Sequence, residues 1–280
     1  MLYYDKNKKH LLMFYKDRKK NYWDEYWQKK LIKKPKEIYK FNPKSMVCKI
    51  TPQFLHPNNG FILEGGCGIG DNIYSLNIMN YNVIGIDNAK STIKKVKEIN
   101  KMIRIEYADV RQIPFSDNYF AGYWSLGVIE HFYHGYNDIL REMKRVIKPK
   151  GILFISFPYM SPFREFKSKI NFYKVVNLEQ YKLDKPINSF YQYILNKNTV
   201  IKDIEAKGFR LICAKPSSGI KGFKDEVFFL TFFFKNFFQL LFNNETSKIL
   251  RIIKTIIEKV LNSFTGHSIL LIFQKQNRKY

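Results

Sequence analysis

The feature that most constrains the fold of this chain is an apolar run that ends in an acid and continues into spaced glycines: Phe61-Ile62-Leu63-Glu64-Gly65-Gly66-Cys67-Gly68-Ile69-Gly70. A short apolar run of this kind is typical of a buried parallel strand. The glycines permit positive φ angles and let a ligand approach the backbone closely. A helix that begins near Asp71 would direct its unpaired N–H groups and the positive end of its dipole to the same place. The segment therefore predicts a strand, a tight turn and a helix around a nucleotide-type pocket.

The spacing of the glycines and the positions of two later acids narrow the range of ligands that this pocket could bind. The dinucleotide pattern G-x-G-x-x-G, started at Gly66, needs a third Gly or Ala at position 71, where the chain has Asp71. Two further apolar strands also end in acids, Val83–Asp87 and Ile103–Asp109. A carboxylate at the end of the second strand is placed to accept the hydroxyls of a ribose. The carboxylate at the end of the third strand is placed to accept a hydrogen bond from an adenine amino group.

Further blocks follow in a fixed order. They are Ile113–Phe120, Tyr123–His131, the amphipathic helix Leu140–Ile147 with Pro149 as its stop, and the apolar strand Gly151–Pro158. Together with the E-x-G-x-G-x-G turn, these blocks resemble the class I S-adenosylmethionine (SAM) dependent methyltransferases of the methyltransferase type 11, small-molecule-like family. The resemblance is close over residues 55–158 and looser beyond them. Two positions depart from the family pattern: Ala121 replaces an acid, and Lys150 replaces the first glycine of a Gly-Gly turn.

The resemblance implies an α/β fold, with a Rossmann-like seven-stranded sheet that is mostly parallel, an antiparallel last strand and helical insertions. It implies SAM as the cofactor, bound by Glu64, Gly65, Gly66, Gly68, Gly70, Asp87, Asn88, Asp109, Val110, Ser125 and Leu126. His131 follows the fourth strand and is the candidate general base, because imidazole exchanges protons near neutral pH. The alternative for His131 is a side chain that packs against or caps the next helix. His134 could share its face, but two histidines do not make a metal site, and none is predicted.

We expect three parts in the chain: a basic, aromatic, helical cap over residues 1–50, a SAM-binding core over 51–160, and the rest of the fold over 161–280. The third part would carry a lid insertion at 161–189 and an amphipathic helical insertion at about 217–265. The first 40 residues hold 13 Lys/Arg and 5 Asp/Glu, with Tyr22, Trp23, Tyr26 and Trp27 among them. Such a segment could stack single-stranded nucleic acid or pack its aromatic face on the core. The resemblance implies a lid over the cofactor.

The late insertion combines an aromatic-rich run with an amphipathic helix. The run Val227–Phe242 is too short and too interrupted to span a bilayer. Apolar residues then recur on one helical face from Ile249 to Leu261, and Lys or Arg residues lie on the other. Residues 227–264 could bind an anionic membrane surface. The alternative is a helical hairpin that packs on the sheet or forms a dimer contact.

The composition limits the partners and the cellular compartment that we expect for the protein. The formal net charge is +24 in 280 residues, which favours an anionic partner such as nucleic acid, a membrane surface or a phosphorylated substrate. The three cysteines, Cys48, Cys67 and Cys213, have neither metal-like spacing nor a pairing pattern. The N-terminus lacks the apolar core of a signal peptide. We expect a cytoplasmic protein, and the late insertion leaves open a peripheral association with the membrane.

The expected function is methyl transfer from SAM to a small-molecule, sugar or lipid-like acceptor, at a hydroxyl group. One alternative is an RNA methyltransferase, which the positive charge alone supports. Another is a SAM-fold binding or scaffold protein without catalysis. The D/N/S-P-P-Y/F tetrapeptide of amino-group DNA methylases is absent after the fourth strand, where Ser125-Leu126-Gly127-Val128 stands, and this disfavours exocyclic base amines as acceptors.

Overall fold

The computed structural model describes residues 2–15, 21–33, 39–176, 189–227 and 248–277. Its strands, in chain order, are β1 (Leu2–Asp5), β2 (His10–Phe14), β3 (Ile62–Gly65), β4 (Val83–Asp87), β5 (Arg104–Tyr107), β6 (Phe120–Leu126), β7 (Ile147–Pro158), β8 (Lys174–Val176), β9 (Phe190–Ile194), β10 (Phe209–Ser217) and β11 (Ser268–Lys275). Its α-helices are α1 (Tyr22–Lys33), α2 (Met46–Ile50), α3 (Asp71–Ile78), α4 (Lys90–Ile99), α5 (Asn137–Val146), α6 (Pro162–Lys169), α7 (Lys197–Glu205), α8 (Gly219–Glu226) and α9 (Lys248–Thr265).

A seven-stranded sheet in the order β10-β11-β7-β6-β3-β4-β5 forms the centre of the structure. The strands from β3 to β7 pair in parallel, whereas β11 runs antiparallel to both β7 and β10. This order and these directions confirm the predicted fold class. β3 pairs with β4 on one side and with β6 on the other, so the strand order reverses at β3. Ligands of open α/β sheets bind at such a switch point, beyond the carboxyl ends of the strands.

Helices cover both faces of this sheet, which is why its central strands are apolar along their whole length. Every residue of β3 and β4 is buried. On one face, α5 packs its apolar stripe, Ile139, Leu140, Met143 and Val146, into the core. On the other face, α3 and α4 contribute Ile73, Leu76, Ile93 and Val96. The two layers fix where the strands end and therefore where the site lies.

A second, four-stranded sheet in the order β8-β1-β2-β9 lies outside the core fold. β1 and β2 form an antiparallel hairpin, and the Asp5 carboxylate accepts from the backbone N–H groups of Asn7 and Lys8 in its turn. The expected helical cap over residues 1–50 is therefore wrong for residues 2–14, which form strands. Their strands depend on pairing with β8 and β9, which lie more than 150 residues later in the chain. The division of the chain into three parts stays a prediction.

The late helices form a layer beside β10 and β11. Backbone of α9 lies so close to α8 that a Cβ atom at Gly219 would be 2.3 Å from the amide nitrogen of Asn262. α9 begins one residue before the expected helical face. Most of the aromatic run Val227–Phe242, and residues 177–188 of the expected lid insertion, lie outside the described residues. No helix in the described part of the chain is long and apolar enough to cross a membrane.

Two local expectations differ from the structure. The sequence indicates Asn198-Thr199 as the cap of a helix over 200–207. The cap of α7 is instead Asn196, whose side chain accepts from the N–H groups of Asn198 and Thr199, so the helix begins three residues earlier. α5 ends at Val146, before the predicted proline stop, because β7 already begins at Ile147 and pairs with Phe120 of β6. Lys150, which replaces a family glycine, has a φ of +62°.

Candidate active site

The turn after β3 depends on its glycines. Gly66, Gly68 and Gly70 have φ angles of +75°, +54° and +73°, which L side chains rarely adopt. A Cβ atom at Gly66 would lie 2.5 Å from the Val128 side chain. A Cβ atom at Gly68 would lie equally close to the Trp27 ring. The bare backbone of this turn therefore forms one wall of a cavity into which neighbouring side chains pack.

Asp87, at the end of β4, is buried and holds the turn in place. Its two carboxylate oxygens accept from the backbone N–H groups of Gly68, at 2.8 Å, and Ala89, at 2.9 Å. Burial raises the pKa of Asp87, and these backbone donors oppose that rise. Because each carboxylate oxygen has two acceptor sites, Asp87 retains capacity for ligand hydroxyls.

Asp109 lies on the opposite wall, after β5, and forms an ion pair with Arg111. The guanidinium group of Arg111 donates to both of its oxygens, and the shortest contact is 2.6 Å. The backbone N–H of Arg111 donates to the carboxylate as well, at 2.8 Å. These bonds hold the pKa of Asp109 below its usual value. Asp109 is therefore an ionised acceptor whose orientation Arg111 fixes.

Beneath the turn, Glu64 has one oxygen bonded and one oxygen unpaired. The Asn72 amide donates to Oε1 at 2.7 Å, whereas Oε2 is buried and has no hydrogen-bond partner among the described residues. Burial raises the pKa of Glu64 to about 8. An unpaired buried acceptor is costly, so this atom points to a cationic or donor group of a ligand.

The end of β6 supplies a third wall. Ser125 is buried, and its hydroxyl has no partner among the described residues. Leu126, Gly127 and Val128 follow it and line the cavity. Below Gly127, Glu130 is buried and its Oε2 atom is unpaired within the described structure. Burial raises the pKa of Glu130 to about 8.

Helix α1 covers the open side of the cavity with Trp23 and Trp27. Its attachment comes from Asp24, whose carboxylate accepts from the backbone N–H groups of Ser91 and Thr92 and from the Thr92 hydroxyl, at 3.2, 2.8 and 2.7 Å. These N–H groups belong to the first turn of α4, which has no capping side chain of its own. Asp24 therefore caps α4 from another part of the chain and fixes α1 over the cavity.

His131 closes the cavity at the far end. Its Nδ1 atom lies 2.8 Å from the carbonyl oxygen of Tyr191 in β9. Its ring packs edge-on against the rings of Trp23 and Tyr191, with centroids 4.7 and 5.2 Å away. The second sheet and helix α1 thus hold this imidazole between them.

The resulting cavity has a volume of about 260 Å³. Seven residues singled out from the sequence line it: Gly66, Asp87, Asn88, Asp109, Val110, Leu126 and His131. The other five, Glu64, Gly65, Gly68, Gly70 and Ser125, are buried behind its wall. The described residues contain no group of three or more His, Cys, Asp or Glu side chains that could hold a metal ion.

Comparison with known proteins agrees with this geometry. Residues 63–155 match the sequence profile of a family described as "Methyltransferase domain". A protein of Mycolicibacterium smegmatis named "Probable S-adenosylmethionine-dependent methyltransferase" is 24% identical over 150 residues, which are 54% of this chain and 52% of that protein. On these matches, residues 63–155 resemble a class I SAM-dependent methyltransferase domain. The matched region spans about half the length of that curated relative.

Solved structures of methyltransferases share the fold of this chain. A SAM-dependent methyltransferase from Archaeoglobus fulgidus has a TM-score of 0.51 at 18% identity, covering 82% of this chain and 91% of that chain. Geranyl diphosphate C-methyltransferase from Streptomyces coelicolor A3(2), in complex with Mg²⁺, geranyl diphosphate and S-adenosyl-L-homocysteine, has a TM-score of 0.51 at 9% identity. The match covers 82% of this chain and 76% of that enzyme's chain.

The residues present fit SAM, the cofactor of this family. The side-chain-free turn at Gly66 leaves room for a ligand against the backbone. The unpaired Glu64 Oε2 suits the ammonium group of the methionine portion, and Asp87 suits two ribose hydroxyls. The candidate contacts chosen from the sequence omitted several lining residues: Trp23, Trp27, Ala108, Gly127, Val128 and Phe132. The aromatic spacing of α1 was a signal for the two tryptophans, whereas nothing local marks Phe132.

Proposed function

We propose that this protein transfers a methyl group from SAM to a hydroxyl group of a small-molecule, sugar or lipid-like acceptor, with His131 as the general base. The observation that carries the proposal is the bond from His131 Nδ1 to the Tyr191 carbonyl, at 2.8 Å, beside the cavity that Asp87 and Asp109 share. A carbonyl oxygen only accepts hydrogen bonds, so Nδ1 carries the proton of the neutral imidazole. Nε2 is then the basic nitrogen, in the tautomer that a general base needs.

SAM supplies an electrophilic methyl group on a sulfonium, so the protein contributes position and proton transfer. Asp87 would accept hydrogen bonds from the ribose hydroxyls, and Asp109 would accept one from the adenine amino group. Glu64 would bind the ammonium group. Trp23 and Trp27 would exclude water from the reacting atoms. His131 would take the proton of the acceptor hydroxyl as its oxygen bonds to the methyl carbon and the sulfur–methyl bond breaks, which leaves S-adenosylhomocysteine.

A second cavity beside the first provides space for the acceptor. It has a volume of about 530 Å³ and shares His131 and Phe132 with the cofactor cavity. Its remaining wall is polar and aromatic, formed by Arg111, Tyr133, His134, Gly135, Asn137, Asp138 and Phe190. His131 therefore stands between the two cavities, where an acceptor hydroxyl would meet the methyl group.

The test separates cofactor binding from turnover. Calorimetric titration with S-adenosylhomocysteine (SAH) is expected to give micromolar affinity, about −8 kcal/mol. Asp87→Ala should abolish this binding. His131→Asn should leave SAH affinity within about twofold of wild type and lower kcat on a hydroxyl acceptor by roughly 10²–10⁴, with little change in KM.

Three results would contradict the proposal. Failure of the folded protein to bind SAH would remove the enzymatic function. SAH binding without turnover on any hydroxylated acceptor would favour a binding or scaffold protein. Transfer of radiolabelled methyl groups to RNA, and not to small hydroxylated compounds, would assign the RNA alternative.

A further inference from the structure

Two helices at the edge of the structure each bury polar side chains while several of their large apolar side chains are exposed. On α6, Arg164 and Lys167 are only 2% and 6% exposed, whereas Phe166 is 54% exposed. On α9, Thr265 is buried, and five large apolar residues are 42–66% exposed: Ile252, Ile253, Ile256, Val260 and Phe264. This is the reverse of the usual arrangement of an amphipathic helix on a globular protein.

The polar side of α9 is turned inward by specific bonds to α8. The Asn262 side chain accepts from the N–H of Gly219, at 2.7 Å, and the Glu258 carboxylate accepts from the N–H of Ile220, at 3.2 Å. The Thr265 hydroxyl donates to the Gly219 carbonyl, at 2.9 Å. These contacts satisfy the N-terminus of α8 and fix the rotation of α9. The exposed apolar residues of α9 consequently face away from the protein, whereas Ile257 and Leu261 are half-buried.

The exposed residues of α9 form one continuous strip. At about 100° per residue, the five positions fall within an arc of roughly 120° along the helix. Phe163 of α6 contacts Phe264 at the end of this strip, with ring centroids 5.4 Å apart. The exposed side chains of Phe166, Ile170 and Phe172 continue the apolar area from α6 into the following turn. We name these eight exposed residues of α6, its following turn and α9 the outer apolar face.

Basic residues flank the outer apolar face. Lys169, Lys174 and Lys259 are exposed and Lys254 is half-buried, against two acidic residues in the described part of these segments, Glu165 and Glu258. Glu258 is occupied by α8.

We propose that the outer apolar face binds an anionic lipid surface, with α9 lying in the plane of the interface. Aliphatic side chains between lysines match the boundary between acyl chains and anionic headgroups. A two-fold dimer through the same face would bring its basic residues against their own copies, which is repulsive. Nucleic acid binding would require aromatic rings for stacking, but four of the five strip residues on α9 are aliphatic. The inference does not depend on the identity of the methyl acceptor.

The experiment is cosedimentation of the full chain with vesicles of phosphatidylcholine alone and of phosphatidylcholine with about one third phosphatidylglycerol. Wild type is expected to pellet with the anionic vesicles and much less with the neutral ones, and high salt should weaken the binding. Ile256→Asp should reduce it at least about tenfold. The matched control is Ile99→Asp on α4, which exposes a similar fraction of its side chain and changes the net charge equally. It should retain wild-type binding.

SAH affinity and circular dichroism of each variant establish that it is folded, and Val260→Asp provides a second substitution on the same strip. The inference is overturned if folded wild type does not pellet with anionic vesicles. Equal losses for Ile256→Asp and Ile99→Asp would also overturn it, because charge alone would then govern binding. A wild-type dimer that Ile256→Asp converts to monomers would assign the face to a second copy of this chain.

Discussion

The attachment of α1 by Asp24 gives the sharpest test of how the cofactor cavity is closed. Asp24 supplies the N-cap of α4 through three hydrogen bonds and places Trp23 and Trp27 over the cavity. Loss of an N-cap side chain costs about 0.5–2 kcal/mol. If SAH binds mainly to the covered form, Asp24→Ala should lower SAH affinity by up to about 30-fold, because 1.4 kcal/mol corresponds to tenfold.

The Thr92 hydroxyl allows the contribution of this attachment to be isolated. Thr92 is buried and donates to Asp24 Oδ1 at 2.7 Å, so Thr92→Val removes the bond while it preserves the shape of the side chain. In a double-mutant cycle measured by SAH calorimetry and by urea unfolding, Asp24→Ala and Thr92→Val should show a coupling of about 1 kcal/mol. Gln28→Ala on the same helix is the control and should change neither quantity by more than about 0.5 kcal/mol.

The reasoning would be refuted by additive effects in this cycle, or by an Asp24→Ala variant whose SAH affinity stays within about twofold of wild type. Either result would mean that α1 is held over the cavity by its aromatic contacts and not by Asp24. Asp24→Asn should fall between wild type and Asp24→Ala, because the amide keeps one acceptor oxygen but loses the charge beside the helix N-terminus.

Three further expectations follow from buried groups. Glu226→Gln should lower the free energy of unfolding by about 3–5 kcal/mol in urea, because two buried cations lose their counter-charge; a loss below 1 kcal/mol would contradict this. SAH binding at pH 7 should release about one proton, seen as a dependence on buffer ionisation enthalpy, because Glu64, with a pKa near 8, must ionise beside an ammonium group; Glu64→Gln should abolish the release. Gly66→Ala should abolish SAH binding. Adding Val128→Ala to this variant should remove the steric clash and restore only part of the affinity, since the positive φ at position 66 remains unfavourable.

The core of the fold was predictable from the sequence because its signals are local. β4 coincides with the expected strand Val83–Asp87. The sequence also indicates a sixth strand over 209–214 and a seventh over 267–273, and β10 and β11 begin within a residue of them. The apolar run of β4 is buried on both faces and ends in an acid. A strand of this kind is specified within a few residues, and the right-handed parallel connections leave little choice of order.

The candidate site was predictable only where a motif fixes the backbone. The glycine turn, Asp87 and Asp109 lie where strand ends must meet, and they line or support one cavity. Arg111, which binds Asp109, was not anticipated, because a side-chain pair two residues apart has no pattern of its own. Tyr191 was not anticipated either, since its carbonyl reaches His131 only after β9 joins the second sheet.

The N-terminal hairpin shows the limit set by distant pairing. Residues 2–14 have short apolar runs between lysines, which are compatible with a helix or with strands. Pairing with β8 and β9 decides the matter, and these partners come from the insertion after β7. Strand propensity depends strongly on such neighbours, whereas helix propensity is more local. No reading of the first 50 residues alone could have supplied the partner strands.

Helix α9 shows why a periodic pattern does not determine which side of a helix is buried. The hydrophobic periodicity identified the helix correctly, and the usual interpretation would place its apolar side on the sheet. Two glycines of α8, Gly219 and Gly222, instead allow the backbones to approach closely along the polar side of α9. A Cβ atom at either position would collide with the α9 backbone or the residues just after it, so this contact exists only because both are glycine. The direction of the apolar side is thus set by a neighbouring helix. An isolated amphipathic pattern therefore predicts an interface but not whether the partner is the protein's own core.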